Sequence, residues 1–265
     1  MGAMPDLRSA LPDTAQVPSW ASLVLAPNPG PMTLDGTNTW ALRGPGAGGS
    51  VIIDPGPDDF GHLAALASLA PIELIVITHH HPDHVAGVER LVDLLGGNIP
   101  VAAQSPELCR DAAPLREGDQ RDVAGLSITV LATPGHTRDS VCLLVAAAGE
   151  RAIFTGDTIL GRGTTVVAWP DGDLGAYLTS LERLSALDGI AVLPGHGPVL
   201  ADCGAAARQY RAHREDRLRQ VRAALAAGAK TPADVVAAVY PDLEPSLVPA
   251  AEWTVRAALA YLDPT

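Results

Sequence analysis

The sequence is short of several things at once. It holds one lysine, Lys230, among 18 basic side chains, and these face 30 acidic ones for a net charge of −12 with His neutral. A surface that acidic exerts no general pull on nucleic acid or anionic membrane; a bound polyanion must meet a local patch or bound metal ions. Aromatic residues make up only 4%, few for stacking successive bases of a single strand. The three cysteines, Cys109, Cys142 and Cys203, are odd in number and far apart. They form no CxxC pair and no disulfide framework, which fits a reducing compartment. No stretch approaches 18 apolar residues without a charge or a Pro/Gly break, which argues against a membrane span. Residues 1–20, interrupted by Pro5, Asp6, Arg8, Pro12 and Asp13, lack the apolar segment of a secretory signal. The expectation is a soluble, cytoplasmic protein.

What is present points to a folded chain. Hydrophobic residues are 47% and charged residues 18%, which rules out disorder as the main state. A length of 265 residues allows one large domain, or one with a small appendage. Short β-branched runs bounded by Gly, Pro and Asp read as strands at 50–54, 72–78, 126–131, 141–146, 152–155 and 190–193. Helical runs fall at 60–69, 84–95 and 174–187. Strands mixed with helices predict a layered α/β architecture, with helices covering sheet faces. From about residue 205 the pattern becomes wholly helical: a long helix over 205–227 stopped by Gly228, a short one opened by Thr231-Pro232, and a last one over 246–262. The expected division is a catalytic domain at 1–204 and a linker helix with a small separate lobe at 205–265.

The chemistry concentrates at strand ends. His79-His80-His81-Pro82-Asp83-His84 follows the strand IELIVIT directly. Residues two apart in an extended segment point the same way, so His79 and His81 can bind one ion together. Asp83 and His84 open the next helix and can face a second ion, and this density of imidazole and carboxylate suits Zn2+ or a similar divalent metal. His136 in Thr133-Pro134-Gly135-His136, His196 in Pro194-Gly195-His196-Gly197 and Asp157 in Thr155-Gly156-Asp157 end three further strands. One histidine in such a loop is usually structural; four strand ends terminating alike are not a chance arrangement. His80, between two ligands, should point the other way. His62 and His213 read as surface helix residues.

The HxHxDH run, followed by single His, Asp and His residues at these separations, resembles the metallo-β-lactamase hydrolase superfamily. That resemblance implies an αββα sandwich with two divalent metal ions, Zn2+ first among them, at one sheet edge. Carried over residue by residue, His79, His81 and His136 match the first metal site, Asp83, His84 and His196 the second, and Asp157 the bridging carboxylate. The commonest zinc β-lactamases place a Cys in the second site and have no His after the motif Asp. With His84 and Asp157 the chain is more similar to glyoxalase II and the RNA-processing nucleases. Persulfide dioxygenases use one iron and leave the second site incomplete, unlike the set here. Asn28-Pro29-Gly30-Pro31, the segment Leu34-Asp35-Gly36-Thr37-Asn38-Thr39, the loop from Ile159 to Val166, and Gln209-Tyr210-Arg211-Ala212-His213-Arg214 together look like the lactamase-beta-like protein 2 subfamily. Its members include a single-strand endoribonuclease and discrete thioesterases, and it ends in a small winged-helix lobe. The sequence stops at Thr265, soon after its last helix, so the lobe is expected to be winged-helix-like but wingless.

The resemblance implies a dinuclear hydrolase in which two ions lower the pKa of a bridging water from 15.7 toward about 7 and stabilise developing negative charge. Asp157 would bridge the ions, and Asp83 would both ligate and orient the nucleophile. Asn38 and the loop Arg162, Gly163, Thr164, Thr165 are candidate substrate-facing groups. The favoured substrate is a thioester or ester, small or carrier-linked. The alternative is a metal-dependent single-strand endoribonuclease; a β-lactam side activity or a non-catalytic metal-binding module stands further off. On the long helix, Arg208, Arg211, Arg219 and Arg222 fall within an arc of roughly 80°, a stripe that could meet phosphates of RNA or of a coenzyme A-type carrier. The net charge and scarce aromatics weigh against RNA, and no membrane partner is expected.

Overall fold

A computed structural model of the chain describes residues 17–263; most of the N-terminal stretch assessed above as a signal, residues 1–16, lies outside them. Among the described residues the first half builds strands β1 (Ala21–Leu25), β2 (Asn38–Leu42), β3 (Ser50–Ile53), helix α1 (Phe60–Ala67), β4 (Ile72–Val76), α2 (Pro82–Val85), α3 (Val88–Leu94) and β5 (Val101–Ala102). The second half builds β6 (Gln120–Val123), β7 (Leu126–Ala132), β8 (Val141–Ala147), β9 (Glu150–Gly156), α4 (Leu174–Leu184), β10 (Ala191–Pro194), α5 (Cys203–Ala226), α6 (Pro232–Val239) and α7 (Val248–Leu262). The strands form two five-stranded sheets, in the orders β1-β2-β3-β4-β5 and β10-β9-β8-β7-β6. This is the αββα sandwich that the family resemblance implied.

Each sheet has an apolar layer on both faces, which is why β3, β8 and the end of β4 after Glu73 read as hydrophobic runs. Between the sheets lie Trp40, Leu42, Val51 and Val76 from one side and Ile128, Val130, Leu143 and Phe154 from the other. Trp40 packs edge-on against Phe154, with ring centroids 5.8 Å apart, and its indole N–H donates to the Pro194 carbonyl at 3.0 Å. On the outer face of the first sheet, Leu63 and Leu66 of α1 and Leu91 and Val92 of α3 cover Ile52, Ile75 and Ile77. On the outer face of the second, Tyr177 and Leu181 of α4 cover Cys142, Ile153 and Val192. That last cluster continues through Tyr210 and Leu218 of α5 to Val235 of α6 and Val255 of α7, so the C-terminal helices share a core with the sandwich.

The structure departs from the expected elements where tertiary contacts decide. The helix expected over 84–95 is divided into α2 and α3 at Gly87. The Gly87 N–H donates to the Gly56 carbonyl at 2.9 Å, and a Cβ there would fall 2.7 Å from a Leu63 methyl. Strands β1, β2, β5 and β6 were not among the expected strands. The polar β6 exists because a two-residue turn pairs Val123 with Leu126. Both turn residues, Ala124 and Gly125, take positive φ (49° and 70°), the requirement of a type I′ hairpin. The long C-terminal helix and the Thr231-Pro232 start lie where expected, and Thr231 and Asp234 close a reciprocal capping box. From residue 205 onward the described residues contain helices and turns and no strand. No helix among the described residues is long and apolar enough to cross a membrane.

Candidate metal centre and the adjoining cavity

Each sheet contains adjacent parallel strands, β3, β4 and β5 in the first and β9 and β10 in the second. Their carboxyl ends therefore open on the same edge, the usual place for function in layered α/β sheets. The chain leaves these ends through His79 and His81, through Asp157 and through His196, while the β7–β8 loop adds His136 and α2 adds Asp83 and His84. One ligand atom from each of His79, His81 and His136 lies within 4.8 Å of the others, and the same holds for Asp83, His84 and His196. Asp157 stands between the groups: one carboxylate oxygen is 3.4 Å from His196 Nε2 and 3.5 Å from His84 Nε2, the other 3.7 Å from His136 Nε2. The seven side chains expected to bind metal are thus brought together.

The hydrogen bonds behind these rings fix which nitrogens face inward. His84 Nδ1–H donates to Asp54 at 2.8 Å, His136 Nδ1–H to the Val166 carbonyl at 2.7 Å, and His196 Nδ1–H to the Gly36 carbonyl at 3.0 Å. The Thr78 hydroxyl donates to Asp54 at 2.7 Å, so its oxygen accepts from His79 Nδ1, 3.0 Å away. In the neutral imidazoles that these bonds select, the four Nε2 atoms are bare acceptors. They approach other imidazole nitrogens closely: His79 Nε2 to His81 Nδ1 3.1 Å, His136 Nε2 to His81 Nδ1 3.0 Å, and His84 Nε2 to His196 Nε2 3.2 Å. Lone pairs converging at these distances call for a cation between them. Asp157 adds a buried carboxylate oxygen with no hydrogen-bond partner. This donor set, imidazole and carboxylate with its outer hydrogen bonds satisfied, fits a pair of divalent metal ions.

The electrostatics agree. Burial pushes the Asp157 carboxyl up, but the His196 and His84 imidazoles outweigh it and hold the group well below the usual range. Burial, with His84 and His136 beside it, pushes the His79 imidazole well down; burial and His136 bring His81 to about 4. His196 runs the other way: burial lowers it, yet Asp157 and Asp83 raise it to about 11. The two carboxylates draw positive charge into the site.

One residue was not foreseen. Asp54 is buried (1% exposed), with positive φ, and accepts from the Thr78 N–H at 2.8 Å as well as from His84. It orients His84 and, through Thr78, His79, the carboxylate–histidine arrangement that steadies metal ligands. Its signal was present in Ile53-Asp54-Pro55-Gly56, another strand ending in an acid before a Pro-Gly loop, though without a histidine to mark it. Glycine 195 has a steric role here: a Cβ on it would fall 2.6 Å from an Asp157 carboxylate oxygen and 2.8 Å from the His84 ring.

Several expectations need correction. His62 is a buried residue, not a surface one, because the start of α1 folds under the strand-end loops; its Nε2 lies 3.0 Å from both Thr39 Oγ1 and the Pro55 carbonyl. Asn38, expected to face substrate, is buried and donates both amide hydrogens, to the Pro194 and Gly197 carbonyls at 3.0 and 2.8 Å. It clamps the His196 loop to the first sheet. His80, as expected, turns away from the cluster, to Asp139 at 2.7 Å. The arginine stripe is engaged: Arg208 with Asp188, Arg211 with Glu182 and Glu215, and Arg219 with Asp216. Helical periodicity located that face but not the acids opposite it.

A cavity of about 210 Å³ opens from the centre, with His136 and Asp157 in its wall. Met32, Leu34, Leu160, Leu243 and Leu247 give it an apolar lining. Arg162, Gly163 and Thr164 border it as expected, with the Arg162 guanidinium held in a two-point pair with Asp35. His213, expected at the surface, is half-buried and lines the cavity beside Arg214, Arg217 and Tyr240, because the middle turns of α5 border the opening.

Fold and site together define a metal-site hydrolase, and the chain belongs to the metallo-beta-lactamase superfamily, whose sequence profile matches residues 32–196. A second profile, the beta-lactamase associated winged helix domain, matches residues 231–263. The chain is 36% identical over 247 residues to a beta-lactamase-like protein 2 homolog of Caenorhabditis elegans, covering 89% of this chain and 78% of the relative. It is 35% identical over 238 residues to an atrochrysone carboxyl ACP thioesterase of Aspergillus fumigatus, covering 82% and 72%. Among solved structures, a beta-lactamase domain protein from Burkholderia ambifaria shares the fold, with TM-score 0.79 and 23% identity over 93% of this chain and 87% of that one.

Proposed function

We propose that the protein hydrolyses an acyl thioester, small or carrier-linked, with two divalent ions, Zn2+ the first choice, held by His79, His81 and His136 and by Asp83, His84 and His196, with Asp157 between them. The observation that carries the choice of substrate is the cavity. It is short and apolar-walled, the shape of an acyl site, where a polynucleotide would need a long basic channel. The thioesterase among the relatives supports the same reading.

When bound, the ions would supply Lewis-acid polarisation of the scissile carbonyl and a water acidified enough to attack at neutral pH. The chain supplies the rest. Asp54, Thr78 and the Gly36 and Val166 carbonyls fix the ring orientations. Asp83, part-exposed and 3.1 Å from His196 Nε2, stays ionised because the His196 and His84 imidazoles outweigh the upward push of burial. It can accept a hydrogen bond from the attacking water. The apolar wall excludes other water and seats the acyl group. In this reading residues 1–204 form the catalytic domain, and the helices of 205–265 close the cavity. The free thiols of Cys109, Cys142 and Cys203 are those of a protein working in a reducing cytoplasm.

The test sets thioesters beside single-stranded RNA on one zinc-loaded preparation at two salt concentrations. Thioester turnover with negligible RNA cleavage is expected. Efficient RNA cleavage that falls steeply with salt, beside negligible thioesterase activity, would reverse the assignment.

A further inference from the structure

Several arginines among the described residues have no carboxylate partner, but only two of these line the cavity beside the candidate metal centre. Arg90, Arg138, Arg162, Arg183, Arg208, Arg211 and Arg219 all pair with acids. Arg214 and Arg217, three apart and so on one face of α5, pair with none among the described residues. Arg214 is 4% exposed; it donates to the Thr165 carbonyl and lies 5.5 Å from the Tyr177 ring centroid. Arg217 sits 4.6 Å from the Tyr240 ring centroid and donates to Gln220 Oε1 at 2.7 Å. The Nε of each is buried without a hydrogen-bond partner. Both side chains line the cavity whose other side carries Asp157 and His136, and Asp157 is the one carboxylate among the described residues lining it.

Withdrawing two cations from water without counter-charge is costly. Aromatic faces and neutral carbonyls offset that cost only in part. The arrangement is complete when an anion arrives with the ligand, and the planar guanidinium fork suits carboxylate and phosphate oxygens alike.

We propose that Arg214 and Arg217 form a subsite for an anionic group of the substrate, a carboxylate on the acyl part or a phosphate on the thiol carrier, seated across the apolar cavity from the reacting carbonyl. The cavity then selects thioesters that carry an acidic group beyond the scissile bond. The proposal rests on the thioesterase reading for its substrate class.

Two matched pairs of thioesters test it on the metal-loaded protein. Glutaryl against pentanoyl N-acetylcysteamine differs in an acyl carboxylate; pentanoyl 4′-phosphopantetheine against pentanoyl pantetheine differs in a carrier phosphate. The wild type is expected to prefer the charged member of at least one pair by about 10-fold or more in kcat/KM, the scale of a charge-assisted hydrogen bond. Whichever pair shows the preference identifies the source of the anion. Arg217→Gln should abolish the preference by lowering kcat/KM for the charged member far more than for the neutral one, and Arg217→Lys should restore part of it. Equal turnover within both pairs, or a preference that Arg217→Gln leaves intact, would overturn the subsite. Binding of the corresponding non-hydrolysable thioethers, measured by calorimetry, separates this outcome from failure of the thioesterase reading. Were no thioester turned over, tighter binding of a charged thioether by wild type than by Arg217→Gln would still support the subsite, and equal binding would overturn it.

Discussion

The strand-end centre and the helical C-terminal region use buried polar groups in opposite ways. At the strand ends the outer face of each fixed ring is satisfied by the chain itself, through partners as far away in sequence as Gly36 is from His196. What remains unsatisfied points inward and converges. On α5 Arg208, Arg211 and Arg219 meet acids, and Arg214 and Arg217, which lack counter-charge, border a cavity instead of meeting one another. The first region is fixed by the sandwich and sets the kind of chemistry. The second is assembled from short-range caps and small apolar contacts and sets the shape presented to a substrate. Damage to the first should remove reaction and metal with little loss of fold; damage to the second should alter stability and selectivity with little loss of metal.

The largest effect is expected for Asp157→Ala. Losing the carboxylate between the two ligand groups should lower turnover on the order of 10³-fold or more, while circular dichroism and the unfolding midpoint change little because the sandwich core does not depend on the site. Near-normal turnover would remove Asp157 from the site. Gly195→Ala should come close to it, since the added methyl has no room beside Asp157 and His84; crystallography of the variant would show the Asp157 carboxylate displaced. Asp54→Asn keeps the shape but weakens the acceptor for His84. A loss of about 10- to 100-fold in metal affinity is expected, read by competition with a chromophoric chelator, and unchanged affinity would confine Asp54 to folding.

These differences follow what was legible in the sequence. His79, His81, His136, Asp157 and His196 announced themselves because each follows a strand end, and Asp83 and His84 because they continue the same histidine run into the next helix; chemistry concentrated at one sheet edge leaves that trace. Asp54 carries the same trace but acts through His84, thirty positions later, and only the folded sheet reveals the bond. Asn38 and His62 were misplaced for a related reason: polar side chains look exposed until a distant carbonyl, such as that of Pro194, arrives to receive them. On α5 the period of the helix identified an arginine face, yet Glu182 of α4, Asp188 beyond it and Glu215 and Asp216 of α5 itself take up that face, and Arg214 and Arg217 on another border the cavity. Helical periodicity says which residues share a side, and packing alone says what that side meets.

The smaller predictions concern the second region. Burial, then Arg214 and Arg217, push the His213 imidazole down to about 4 from 6.5, against a weaker pull from Asp216. Between those values the unfolded chain binds a proton that the folded chain does not, so this contribution to stability is complete above the unfolded value and is lost as pH falls toward 4. His213→Gln should flatten the stability curve over that interval in denaturant titrations; an unchanged slope would place His213 in water. Thr231→Ala, which opens the capping box of α6, should cost about 1 kcal/mol, with metal content unaltered.

Metal stoichiometry tests the central claim most directly. Protein purified without chelator and supplied with Zn2+ should hold two ions per chain by elemental analysis, His79→Ala and His196→Ala should each reduce that number toward one, and Thr231→Ala should leave it at two. A wild-type stoichiometry that stays at one with zinc in excess would contradict the dinuclear centre.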